Sequence, residues 1–103
     1  MLLYNVSVKV DHAIEVEWLQ WMKESHVPDV LNTQMFLEAR ICKLDLLEPD
    51  DDNTFIIQYS CESREKLEVY FEMFAPALRE NFNTRYKDRT ILFRTVMEVV
   101  ALL

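Results

Sequence analysis

The chain has 103 residues, half of them hydrophobic, and it carries a formal net charge of −7. This length is typical of one domain and this hydrophobicity excludes intrinsic disorder, so we expect residues 1–103 to form a single domain. The acidic balance, with 18 Asp and Glu against 11 Lys and Arg, argues against a nucleic-acid partner, because phosphate-binding surfaces need clustered basic side chains.

Glycine is absent from the sequence. Glycine-rich phosphate loops, dinucleotide-binding fingerprints and nucleophile elbows all require glycine, so these sites are excluded. Turns that need a positive φ must then use Asn or Asp, and the stretch "EPDDDN" at 48–53 supplies both.

The N-terminal stretch "MLLYNVSVKVD" lacks the basic start and the cleavage site of a signal peptide. No run approaches the roughly 18 apolar residues of a membrane span. We therefore expect a cytoplasmic protein without membrane contact. Cys42 and Cys61 are too few for a zinc site or a disulfide framework, and we expect both to be buried, reduced thiols.

The first half of the chain predicts a strand, a helix and a hairpin. Residues 2–10 alternate between apolar and polar, which is typical of a strand with one apolar face. Asp11 is expected to cap a helix that begins near Ala13. Extended segments at 35–47 and 54–62 flank the acidic loop and predict a β-hairpin.

The second half predicts a helix and a last strand. Ser63 is a plausible cap for the helix, and residues 90–100, "TILFRTVMEVV", form the strand. The apolar stripe of this helix comprises Leu67, Phe71, Phe74, Leu78 and Phe82. The element order predicts an α+β, ferredoxin-like βαββαβ fold, in which a four-stranded antiparallel sheet carries two helices on one face. "VPDV" late in the first helix is echoed by "APAL" in the second.

The other face of the predicted sheet is mixed in character. We expect it to carry Asn5, Ser7, Lys9, Glu38, Arg40, Cys42, Gln58, Ser60, Arg94, Val96 and Glu98. Such a face can lie in water. However, strand two at 35–47 is longer than the usual five or six residues or so, and long edge strands invite pairing. We therefore expect a homodimer in which two sheets face each other as a dimeric α/β barrel.

Four charged residues on this face form one candidate constellation, namely Glu38, Arg40, Arg94 and Glu98. Cross-strand ion pairing explains them most simply. The alternative is an anion-binding patch inside the barrel, because buried charges are costly and tend to be paired or used.

Five stretches spread over nearly the full length carry a resemblance to a known family, namely "LYNVSVKVD", "EWLQWMKESHVPDVL", "IQYSCES", "FAPALRENF" and "FRTVMEVV". In these stretches the chain resembles a small bacterial family catalogued as a domain of unknown function within the dimeric α/β-barrel superfamily. The superfamily includes haem-degrading and quinone-forming monooxygenases, muconolactone-type isomerases and many uncharacterised stress-response proteins, whose active pockets lie between sheet and helices. The resemblance implies this fold and transfers no catalytic residue.

The segment "WLQWMKESHVPDVL" at 18–31 offers the other candidate site. Trp18, Trp21 and Met22 fall on the apolar side of the first helix, where they either pack in the core or line a ligand cavity. Pro28 is expected to break or kink the helix, which would place His26 at a helix end as a cap for free carbonyl groups. The alternative is that His26 acts as an acid or base.

Two functional hypotheses follow. In the first, the protein binds a small, partly hydrophobic ligand between the first helix and the sheet, with monooxygenase-like or isomerase-like chemistry at His26. The ligand-cavity candidates are Trp18, Trp21, Met22, Arg40, Arg94 and Glu98. In the second, it is a non-catalytic module for self-association or protein interaction. No spacing predicts a metal site or a bound cofactor.

Overall fold

A single antiparallel sheet organises the fold. The computed structural model describes residues 1–45 and 52–103, and these contain four strands in the order β2-β3-β1-β4. The strands are β1 (Leu2–Val10), β2 (Glu38–Lys43), β3 (Asn53–Cys61) and β4 (Thr90–Glu98). β1 is central because it pairs antiparallel with both β3 and β4, and β2 pairs antiparallel with β3. The predicted α+β, ferredoxin-like βαββαβ fold is confirmed.

Two long helices cover one face of the sheet, and each contains a wider π-helical turn. The first helix consists of α1 (Glu15–Trp21), a π turn (Met22–His26) and α2 (Val27–Leu31). The second helix consists of α3 (Arg64–Val69), a π turn (Tyr70–Phe74) and α4 (Ala75–Tyr86). No helix in the described part of the chain has the length and apolar character to cross a bilayer.

The predicted caps are confirmed at both helical segments. The Asp11 carboxylate accepts a hydrogen bond from the Ala13 N–H at 2.9 Å, and the Ser63 hydroxyl oxygen accepts one from the Lys66 N–H at 3.2 Å. Both bonds satisfy N–H groups that have no partner within a helix. Asp11 also pairs with Arg89 at 2.7 Å, which ties the end of β1 to the start of β4.

Proline explains the two wide turns. Pro28 and Pro76 each lie two residues after a π turn. A proline inside a helix donates no hydrogen bond, and its ring crowds the carbonyl four residues back. The extra residue in the turn relieves this conflict, and the helix continues through Pro28 to Leu31. The prediction that Pro28 leaves His26 at a helix end is therefore wrong.

The core lies between the sheet and the helices. Trp18 is fully buried and packs on Phe55 of β3, with ring centroids 5.1 Å apart. Cys61 is buried as predicted, whereas Cys42 is exposed because it lies on β2, at an edge of the sheet.

The register of β4 corrects the predicted second face. Arg94 pairs with Val6 and Glu98 with Leu2, so these residues and Val96 point to the helix side of the sheet. The prediction failed because the segment 90–100 is apolar at both parities and shows no clear alternation. The outer face instead carries Ile91, Phe93, Thr95 and Met97 of β4, beside Asn5 and Ser7 of β1.

Two further sequence predictions need correction. β2 is a short strand of six residues, because the stretch 35–37 before it does not pair with the sheet as a strand. Within that stretch only Phe36 is buried. Gln34, after the first helix, has a φ of 65°, so a left-handed turn is built without Asn or Asp. The hairpin loop predicted at 48–53 falls mostly outside the described residues.

Candidate functional site

A cleft lies between the helix side of the sheet and the two helices. Its apolar lining residues are Val6, Val8, Met22, Ile57, Leu78, Phe82 and Leu92, and its polar ones are Tyr4, His26, Tyr59, Tyr70, Arg79 and Arg94. Arg94 is exposed on an edge strand, so the cleft opens towards β4. It holds about 420 Å³ of empty space including its mouth, of which about 30 Å³ admits the centre of a water molecule.

This volume limits what the cleft holds without rearrangement. About 30 Å³ is space for roughly two water molecules. A larger ligand therefore has to displace side chains at the mouth, where Arg94 is exposed.

Both π turns contribute to the cleft. Met22 and His26 are the first and last residues of the first π turn, and Tyr70 is the first residue of the second. π turns inside α-helices occur frequently at functional sites. Here they bring an imidazole and a phenol into the space between sheet and helices.

The His26 side chain is held by aromatic rings. Its imidazole stacks on Trp21 at 5.0 Å between centroids and makes an edge-to-face contact with Phe82 at 5.6 Å. The Nδ1 atom is buried, and no residue of the described ranges forms a hydrogen bond with it.

The environment of His26 makes its imidazole neutral near pH 7. Burial lowers the pKa of His26 to about 4, the Asp29 carboxylate opposes this shift, and the Arg94 guanidinium adds to it. A neutral imidazole has one nitrogen that donates and one that accepts a hydrogen bond. At neutral pH it therefore has a free acceptor nitrogen, but burial makes it a weaker base than an exposed imidazole.

Arg79 shares the cleft with three phenols, those of Tyr4, Tyr59 and Tyr70. The Arg79 Nη2 donates a long hydrogen bond of 3.4 Å to the Tyr4 hydroxyl, and the guanidinium lies 5.6 Å from the Phe71 ring centroid. Its Nε is buried and finds no partner among the residues described. Burial raises the pKa of Tyr59 and of Tyr70 above the ordinary phenol value, so both hydroxyls are protonated donors at neutral pH.

The structure brings together three of the residues singled out from the sequence. Met22, His26 and Arg94 line the cleft. Trp18 does not, because it is fully buried in the core against Phe55. Trp21 is not a lining residue, but its ring stacks on His26 and also contacts Tyr86, with ring centroids 5.3 Å apart.

The remaining candidates are dispersed. Arg40 lies on the outer face beside Gln58, and Glu98 lies at the far end of β4. β2 and β4 are opposite edges of the sheet, so the predicted constellation of Glu38, Arg40, Arg94 and Glu98 does not form.

Sequence reasoning missed the phenols and one of the two guanidinium groups. Tyr4 fell on the apolar face of its predicted strand and was treated as core. Arg79 follows the stripe residue Leu78 directly, yet nothing in its spacing indicates that it turns into the cleft. The wide turn at Tyr70–Phe74 changes the phase of the helix, and the sequence gives no quantitative signal for it beyond Pro76.

Several solved structures share this fold. A point mutant of SnoaB, a cofactor-independent oxygenase from Streptomyces nogalater, has a TM-score of 0.70 at 12% identity, over 99% of this chain and 96% of that one. A dimeric ferredoxin-like protein from an uncultured marine organism has a TM-score of 0.68 at 14% identity, over 100% and 98%. A point mutant of MhuD with two manganese protoporphyrin IX molecules per active site has a TM-score of 0.71 at 17% identity, over 100% and 98%.

At these identities the likeness shows the fold alone. No curated protein matches the chain. The model of a family described as a domain of unknown function, DUF4286, matches residues 1–100. The chain therefore belongs to the DUF4286 family and has a ferredoxin-like fold.

Proposed function

We propose that the protein is a cytoplasmic homodimer that binds a small, partly hydrophobic ligand in the cleft between the first helix and the sheet. One observation carries the proposal. Two cleft residues, His26 and Arg79, each hold a buried polar nitrogen for which the described residues provide no partner. An unsatisfied buried polar atom costs about 1–3 kcal/mol, and a bound ligand with polar groups would remove that cost.

The chemistry that fits this cleft is proton transfer. The neutral imidazole of His26 accepts a proton from a ligand C–H or O–H group. Because its low pKa makes it a weak base, the transfer depends on the Arg79 and Arg94 guanidinium groups, which stabilise the anion formed. This is the opening step of an isomerisation or of a cofactor-independent oxygenation. SnoaB, which shares the fold, is described as a cofactor-independent oxygenase.

Native mass spectrometry of the purified protein tests ligand binding. We expect a species with extra mass that is lost on denaturation. The variant His26→Gln should keep the fold but lose the extra mass, because the stacked imidazole forms part of the cleft wall. His12→Gln is the matched control, since His12 is exposed and lies outside the cleft. Unchanged binding in His26→Gln would remove His26 from the mechanism.

The second candidate is a non-catalytic interaction module. It is favoured by one observation, the exposure of Ile91, Phe93 and Met97 on the outer face of β4. An apolar patch on an edge strand is suited to association with another chain. This module would carry no bound small molecule in the mass spectrum.

A further inference from the structure

We propose that the ligand carries a carboxylate, which Arg79 and Arg94 bind while the rest of the ligand lies on the apolar wall of the cleft. This inference rests on the proposed ligand-binding function and names the chemical class of the ligand.

Two cations from different elements converge on the cleft. Arg79 comes from α4 and Arg94 from β4, and both act electrostatically on the Tyr70 hydroxyl, where they favour its ionised form. Both side chains line the same cleft, so two positive charges border the space where a ligand would lie.

Neither cation is neutralised within the described parts of the chain. The cleft is lined there by no Asp or Glu, and neither Arg79 nor Arg94 forms an ion pair with a described carboxylate. Arg89 behaves differently, because it pairs with Asp11 at 2.7 Å. In a chain with a net charge of −7, two guanidinium groups at one cleft, neither with a carboxylate partner among the described residues, are a local positive site in an acidic molecule.

The remaining donors fit an oxygen anion. The Tyr4 hydroxyl already accepts a hydrogen bond from Arg79, so its own proton is free to point towards a ligand oxygen. A guanidinium fork matches the two oxygens of a carboxylate, and such charge-assisted bonds are about twice as strong as neutral ones. The apolar residues Val6, Phe82 and Leu92 provide the surface for the uncharged part of the ligand.

The test compares two ligands with the same ring system, one with a carboxylate and one with a neutral amide of similar shape. Binding of 2-naphthoate and of 2-naphthamide is measured by titration calorimetry with the full chain. We expect the carboxylate to bind at least about tenfold more tightly than the amide. The variant Arg94→Gln should lower naphthoate affinity by about tenfold and amide affinity by less than about threefold. Arg40→Gln, on the outer face, is the matched control and should change neither.

Each outcome bears on the inference. Equal affinity for naphthoate and naphthamide would overturn the carboxylate inference and leave the proposed ligand-binding function standing. Loss of naphthoate binding in Arg40→Gln would overturn it as well, because the effect would then come from net charge. Absence of binding for both compounds at millimolar concentration would count against the cleft as a ligand site altogether. Arg94 is exposed, so we expect its variant to fold, which circular dichroism checks.

Discussion

His26 is largely buried and has an unsatisfied nitrogen, and both features cost free energy that its aromatic contacts help to offset. The unfolded chain takes up a proton on this imidazole near the ordinary pKa of 6.5, whereas the folded chain does so only near pH 4. Between these values the unfolded state binds more protons. The neutral His26 therefore contributes to the free energy of unfolding at neutral pH. This contribution is lost as the pH falls from about 6.5 to about 4.

The shifted pKa of His26 predicts a specific pH dependence of the protein's stability. Between pH 7 and pH 5, wild type should lose about 2 kcal/mol more stability than His26→Gln, because glutamine does not titrate. Urea unfolding at several pH values measures this. Parallel curves for wild type and His26→Gln would contradict the shifted pKa.

At the residue scale, the sequence predicted which apolar side chains are buried. It did not predict which polar side chains line the same cleft. The buried position of Trp18 followed from its helical spacing. The convergence of Arg79 and Arg94 did not, because these residues are separated along the chain and meet only through the packing of α4 over the sheet.

At the element scale, the two π turns position the cleft residues. The echo of "VPDV" and "APAL" was visible in the sequence, and each proline does follow a wide turn. The echo did not indicate how each helix accommodates its proline. A helix can end, kink or take up an extra residue, and the free energies of these outcomes differ by only a few kcal/mol in total.

Deletion of Lys23 tests the role of proline in the first π turn. Lys23 is exposed, and its removal would shorten the π turn to a regular α-helical turn with the flanking faces retained. With Pro28 present, we expect a loss of about 3 kcal/mol, because the ring again crowds the preceding turn.

The double variant completes the cycle. Deletion of Lys23 combined with Pro28→Ala should be clearly more stable than the deletion alone, and thermal unfolding compares the four proteins. If the two changes were simply additive, proline would not be the cause of the wide turn.

At the scale of the whole molecule, the outer face of the sheet separates polar and apolar regions. Asn5 links Gln58 and Thr95 through hydrogen bonds of 3.0 and 3.4 Å across three strands. Beside this polar strip, Phe93 is 63% exposed. A second copy packed against this face would cover the apolar residues and enclose the polar strip, as expected for a dimeric barrel.

One substitution tests this association. Phe93→Glu places a charge in the exposed apolar patch and should convert the proposed dimer to a monomer, because an unpaired charge at an interface is costly. Val16→Glu is the control, since Val16 is 82% exposed on the first helix and away from the sheet face. Size-exclusion chromatography with light scattering gives the mass. A wild-type monomer, or a dimer in both variants, would rule out this interface.

The element order and the fold class were predictable because alternation and helical spacing are local signals. Two features were not predictable: which side chains of β4 point to the helices, and how long β2 is. Both depend on the elements that pack against each strand. Arg94 shows the consequence, because its side of the sheet decides whether it belongs to a dimer face or to the cleft.

The most direct measurement is methyl NMR of the protein labelled at its five methionines, titrated with 2-naphthoate. Met22 lines the cleft, whereas Met73 is exposed on the second helix and Met97 lies on the outer face. We expect the Met22 methyl signal to shift and saturate while those of Met73 and Met97 stay in place. An unmoved Met22 signal, or shifts confined to Met73 or Met97, would contradict ligand binding in the cleft.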